Sequence, residues 1–544
     1  MKGKQYLFIL LLLVLSASCK KDFLQRDTGV PIDKDKLFGD PRTAAGFGNN
    51  SYSFLIKEYS RLAAHRGTTG QFSDEAISND GEGPISVMNT GQFLLFNAVD
   101  VVNVYNSMYE GIRNTNVMLA NIDRVPWTAD YNANYIRGEQ LFLRAFFYFE
   151  LMKRFGGVVL LDKAQTVEES GTDLKRSTYQ ETLEFIIKDL DQAIVLLPAD
   201  WPAASYGRAT AGAAMALKAR SLLHAASPLH NPSSEASKWK KAADAAKAVI
   251  NLTKYTLEPD YANVLTQPSS NEYILISIKG PTAATGLGFI NDFICPPSYG
   301  GQRSLISVTQ NHVDLYEMDN GKLITDPTSG YDPQKPYVHR DPRFYTNVIY
   351  NDQVWQGRKV ETYVGGKDMV QTSPFYTRTG YYVKRLWPEV LKSGSGNTAQ
   401  LNFIYFRYAE VLLNYAEALN ESDGPVQEVY DVVKLVRARA GMPGLPVGLD
   451  KAQMRARIRK ERAVEFAFEE MRWWDILRWR QGVELVAQPM KGMSITKSGT
   501  TFTYNVVELA PNFQKVFKDY MHLYPIPRAE MIKSPEALEQ NPGW

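Results

Sequence analysis

Between residues 101 and 252 the apolar residues keep a spacing of three and four, and run after run is shut off by glycine or proline. VDVVNVYNSMYEGIRNTNVMLANID puts Val101, Tyr105, Met108, Ile112, Thr115 and Leu119 on one stripe of a helix. YIRGEQLFLRAFFYFELMKRFGG stops at Gly156-Gly157, TYQETLEFIIKDLDQAIVLLP at Pro198 and ATAGAAMALKARSLLHAASP at Pro228, and WKKAADAAKAVIN follows. Helices of roughly 12–22 residues with short joints bury their stripes against one another, which predicts antiparallel helical hairpins. Small and aromatic residues alternate as in tetratricopeptide units, without a strict 34-residue period.

A second helical region holds FRYAEVLLNYAEALNE, VQEVYDVVKLVRARAG and ERAVEFAFEEMRWWDILRWR. Residues 256–400, between the two regions, are rich in Gly, Pro, Asn and Tyr, with strand-like pieces YILISIK and FYTNVIY. The expected fold is mainly α, a tetratricopeptide-like helical-hairpin scaffold with a loop-rich excursion containing short strands. Binding sites tend to sit in such excursions. At 544 residues, 44% apolar and 22% charged, the chain has the composition and length to bury a large core.

The N-terminus MKGKQYLFILLLLVLSASCKKDF sets Lys2 and Lys4 before an apolar run from Tyr6 to Leu15. That run is about half of the ~20 residues a membrane-spanning helix needs, so residues 1–18 read as a signal peptide. Cys19, directly after small residues, stands at the acceptor position of bacterial lipoproteins, with Ser16 where Leu is commoner. Four segments follow: the leader 1–18, a helical region 19–255, the excursion 256–400, expected to bind ligand, and a helical region 401–544. With Cys19 lipidated, Cys295 is the one thiol left and no intramolecular disulfide can form. Loss of Lys2 and Lys4 takes the formal charge from +2 to zero, which argues against nucleic acid as a partner.

The segment 461–480 carries nine charges and five aromatic rings in twenty positions. On a single helix Glu461, Glu465, Phe468, Arg472, Asp475 and Trp479 form one stripe, with Arg472 between Asp475 and Glu465. Opposite charges with rings between them read as a structural ion network of Glu461, Glu465, Arg472 and Asp475, since the planar guanidinium takes carboxylates and stacks on rings.

ER..E..FE..R..D..RW in this segment resembles the C-terminal signature of the SusD/RagB proteins, nutrient-binding surface lipoproteins of Bacteroidota. YNSMYEGIRNTNVML, EQLFLRAFFYFELMKRFGGVVLL, YGRATAGAAMALKARSLL, FRYAEVLLNYAEAL, VRARAGMP and the closing YPIPRAEM and EQNPGW resemble further family segments in family order. Glu470 stands where the family usually has Gly, and Lys434 where Asn is common. The resemblance implies a helical scaffold with a variable excursion and capture of oligosaccharides or peptides. It also implies an outer-membrane, cell-surface location through the lipid anchor and a SusC-like TonB-dependent transporter as partner.

Catalytic motifs are thin. The six histidines include no HExxH pair, and there is no Gly-x-Ser-x-Gly elbow or phosphate loop. His224 and His230 flank a proline turn, as packing or capping residues do. Asp74, Glu75 and Asp80 do not have Ca²⁺-loop spacing. A binder without catalytic residues, metal or cofactor is expected, against the alternatives of a surface glycosidase or peptidase and of a tetratricopeptide-type adaptor. For the ligand, the loop QFSDEAISNDGEGPISVMNTGQFLLFN offers Phe93, Phe96 and Asn97. The excursion offers Tyr299 and Arg303 in CPPSYGGQR, and Gln353 and Trp355 in YNDQVWQGRK. Flanking glycines suggest that Tyr299 and Trp355 project from loops that the helical core does not need.

Overall fold

The computed structural model describes residues 34–544 apart from 57–58, 60–61, 63–66, 82–83, 93–100, 166–173, 284–287, 289, 393–394 and 536. Cys19 and the loop candidates Phe93, Phe96 and Asn97 lie outside the described residues.

The periodic segments form α1 (Val102–Asn121), α2 (Ala133–Phe155), α3 (Tyr179–Leu196), α4 (Ala211–Ala226) and α5 (Ala236–Ile250). Local chemistry sets their ends. Thr178 and Glu181 make a reciprocal capping box at the start of α3, and the Thr210 hydroxyl accepts the Ala213 N–H at the start of α4. Gly156, at φ 76°, ends α2 in a conformation that a side chain would resist. Each helix packs on the next, α1 on α2 through to α5, and α5 on α6 (Tyr408–Asp423). The last in turn packs on α7 (Gln427–Arg439) and α8 (Lys451–Glu465). Helix α2 is buried on nearly every side from Gly138 to Phe155, because α1 and α3 cover opposite faces. The scaffold is the expected mainly helical, hairpin-built one.

The short strands are fasteners. Strand β1 (Ala76–Ser78) pairs antiparallel with β3 (Ile306–Val308), which brings the early loop onto the excursion. Strand β2 (Tyr273–Ser277) pairs with β6 (Phe403–Arg407) through a bulge, so the two ends of the excursion meet. Between them β4 (Val354–Trp355) and β5 (Arg358–Lys359) form a tight hairpin through Gln356 and Gly357, both at positive φ.

The segment 461–480 is not one helix. Helix α8 ends at Glu465, the chain turns with Phe468 at φ 60° and Glu470 at φ 62°, and α9 begins afresh at Arg472 and ends at Arg478. The single-stripe geometry, with Arg472 between Asp475 and Glu465, is therefore corrected. The four residues are buried, but Glu461, Glu465 and Arg472 take their partners from outside the segment, and Asp475 pairs with Arg462 and Arg478 within it rather than with Arg472.

Candidate functional site

The buried ion pairs fix where the excursion sits. Glu461 accepts Arg343 Nη1 at 2.5 Å and Arg437 Nη1 at 2.9 Å. Glu465 accepts Arg343 at 3.1 Å, Arg407 at 2.7 Å and also Arg439. Burial alone would raise the Glu465 pKa, but Arg439, Arg407 and Arg343 hold it down at about 2. Arg343 belongs to the excursion and Arg407 ends β6, so α8 grips the excursion at two points. Asp475 accepts Arg462 at 2.8 Å and Arg478 at 2.9 Å. Arg472 instead donates to both oxygens of Asp74, at 2.8 and 2.7 Å, and so holds the early loop. Among the described residues no group of three or more His, Cys, Asp or Glu is placed to hold a metal. His230 stacks on Tyr179, with ring centroids 3.6 Å apart, and His224 packs edge-on to Phe149.

Trp355 does not project. It is 1% exposed, edge-on to Trp387 at 5.5 Å, with the Lys384 ammonium 5.0 Å from its ring centre. Strand alternation is the reason, since in β4 the exposed position falls to Val354 and the inward one to Trp355. Gln353 is half-buried and accepts the Tyr350 N–H at 3.3 Å. Tyr299 ends a 3₁₀ turn closed by Gly300 at φ 79°. It is half-buried, with the Arg358 guanidinium 3.7 Å over its ring and Trp387 edge-on at 5.7 Å. Its buried hydroxyl has no hydrogen-bond partner, and burial, with Asp368 nearby, pushes the phenol pKa well up. Arg358 is itself fixed by both oxygens of Asp368 at 2.7 Å. Tyr299 and Trp355 thus share one aromatic cluster through Trp387, but they do not form an open platform.

The open ring is next door. Phe375 is 38% exposed, and the Arg303 guanidinium lies 5.8 Å from its centre. The two strands of chain are tied by Ser304 N–H donating to Phe375 O at 3.0 Å. Asn79 of the early loop donates to Ser304 O at 2.9 Å and accepts Arg378 Nε at 3.4 Å, and Arg378 lies 5.9 Å from the ring of Phe513. Early loop, excursion and C-terminal segment therefore meet on one face that presents aromatic surface beside guanidinium groups. Such a face can cover an apolar ring while its N–H groups take hydroxyls or carbonyls. Arg303 was a sequence candidate. Phe375 and Arg378 were not, though the stretch TSPFYTRTG sets aromatics between a proline and an arginine as CPPSYGGQR does.

Comparison with known proteins agrees with this architecture. A family model described as "SusD family" matches residues 271–544, and one described as "Starch-binding associating with outer membrane" matches residues 58–223. SusD-like protein P2 of Formosa agariphila is 27% identical over 432 residues, covering 76% of this chain and 74% of its own. A crystal structure of a SusD-like protein from Bacteroides fragilis superposes with a TM-score of 0.80 at 26% identity, over 95% of this chain and all of that one. A SusD-like carbohydrate binding protein from the same species shares the fold, with a TM-score of 0.77 at 22% identity over 92% of this chain and all of the other. On its sequence and on its hairpin-and-excursion architecture, the chain belongs to the SusD family.

Proposed function

We propose that the protein captures oligosaccharides at the outer surface of the outer membrane and delivers them to a SusC-like TonB-dependent transporter, held at the membrane by lipid on Cys19. The observation that carries the reading is the Phe375–Arg303 pair, an exposed ring beside a guanidinium, on a face that the early loop and the excursion build together. Binding without turnover fits the same geometry. The deeply buried carboxylates Glu461, Glu465, Asp475 and Asp74 are each gripped by arginine, which leaves them no free proton or open face for acid–base work.

Affinity gel electrophoresis against a panel of soluble polysaccharides, starch included, tests this. The mature protein is expected to be retarded by at least one of them, with no release of reducing ends. Phe375→Ala and Arg303→Ala should each weaken retardation about ten-fold, the effect of losing ~1.4 kcal/mol, with little change in Tm. Retardation equal to wild type in both variants would place the site elsewhere, and release of reducing ends would make the protein an enzyme.

A further inference from the structure

A second polar cavity, remote in sequence from the Phe375 face, opens where the helical hairpins meet strand β2. Its volume is about 320 Å³, at the small end of the ~300–1,000 Å³ typical of ligand sites and suited to a short saccharide. One wall is the α3–α4 connection, which supplies Trp201 and Tyr206. Gly207, at φ 94°, turns the chain there so that Tyr206 and Arg208 flank the strand. The other wall is the chain around Lys254, Tyr255, Ser270 and Asn271, leading into β2.

Three observations define what would fit. Aromatic surface is open to solvent, since Tyr206 is 39% exposed and Trp201 is half-buried, with its indole N–H fixed on Ala209 O at 2.7 Å. Cations line the cavity, but both are already neutralised. Lys254 pairs with Asp200 at 2.5 Å, and Arg208 holds Glu139 with two bonds of 2.7 and 2.5 Å. A phosphate or carboxylate would have to displace an existing carboxylate, whereas a neutral molecule would not. Polar capacity is left over, because the amide of Asn271 is exposed at the cavity wall. Open rings, neutral charge and spare hydrogen-bonding groups suit an uncharged polyhydroxyl ring better than an anion or a peptide terminus.

We propose that this cavity is a second saccharide site, one that takes a mono- or disaccharide unit against Tyr206 and Trp201 independently of the Phe375 face. It rests on the reading of the protein as a saccharide binder, and the test separates the two. Saturation-transfer NMR on the mature protein with maltose, cellobiose, lactose and xylobiose is run beside the polysaccharide gels. At least one disaccharide is expected to give a signal that survives Phe375→Ala and Arg303→Ala. That signal should fall about ten-fold in Tyr206→Ala, by analogy with the loss of one stacked ring, and partly in Asn271→Ala, an exposed position whose replacement leaves the fold intact. Unaltered signal in both cavity variants, or complete loss in Phe375→Ala alone, overturns the second site. Silence from all four disaccharides with wild type overturns it as well, while polysaccharide retardation that persists leaves the first reading in place. Tm of each variant shows whether a lost signal reflects the site or the fold.

Discussion

Asp74 and Glu75 are adjacent and buried, yet their carboxyls shift in opposite directions. Burial raises both. Asp74 is pulled back down by Arg472, which meets both of its oxygens. Glu75 receives one N–H, from Phe468 at 2.8 Å, and sits beside Asp74 and Glu470, so it is pushed up to about 8. Arg472 and the Lys515 ammonium, which donates to the carbonyls of Gln71, Ser73 and Ala76, lie nearby. A carboxyl whose folded pKa lies above its unfolded value near 4.5 is held protonated by the fold. Its contribution to stability is complete below about 4.5 and drains away as pH rises to about 8. Wild-type Tm is therefore expected to decline by a few degrees more than that of Glu75→Gln over this range, as followed by calorimetry. Parallel curves for the two proteins would show that Glu75 is ionised in the fold. At this scale the sequence is least readable. Trp355 and Val354 are neighbours in a loop-like stretch, and only the pairing of β4 with β5 decides which of them turns inward. Arg472 and Asp74 are 398 positions apart, so no spacing rule could join them.

Elements were far more legible, because a helix writes its stripe and its stops in one local stretch. Thr178 starts a helix, and Gly156 and Pro198 stop helices, for reasons that need no distant partner. The break between α8 and α9 contains neither Gly nor Pro, and the continuous charge pattern runs straight across it. Glu470 explains how a non-glycine residue tolerates φ 62° there. Its carboxylate accepts the Thr69 hydroxyl at 2.8 Å and the Thr69 N–H at 3.2 Å. A left-handed conformation costs a side-chain-bearing residue about 1–2 kcal/mol, while hydrogen bonds to a charged group contribute about 1.5–3 kcal/mol each. The contacts outweigh the strain. Glu470→Gly, although it installs the residue usual in the family at this turn, is expected to lower stability by about 1 kcal/mol in urea unfolding. A variant more stable than wild type would mean that Thr69 contributes less than the backbone strain.

For the molecule as a whole, position matters as much as shape. No helix among the described residues is long and apolar enough to cross a membrane. The proposed anchoring rests on Cys19 and the apolar run before it. More than one acyl chain holds a protein on a bilayer, whereas a single chain does so only marginally. Cys19→Ala should move the protein from the membrane fraction to the soluble fraction in cell fractionation, and unchanged partitioning would remove lipid from the account. The pairing of β2 with β6 has a consequence for change over generations. Because the excursion leaves and rejoins the scaffold on adjacent strands, with Arg407 of β6 locked to Glu272, Glu465 and Glu469 and Arg343 held by α8, the loops between these anchors can change length without moving the hairpin stack. Doubling the length of a closed loop adds only about 0.6 kcal/mol of closure entropy. Insertions and deletions can thus accumulate in those loops, where the ligand is proposed to bind, while the hairpin stack is inherited unchanged.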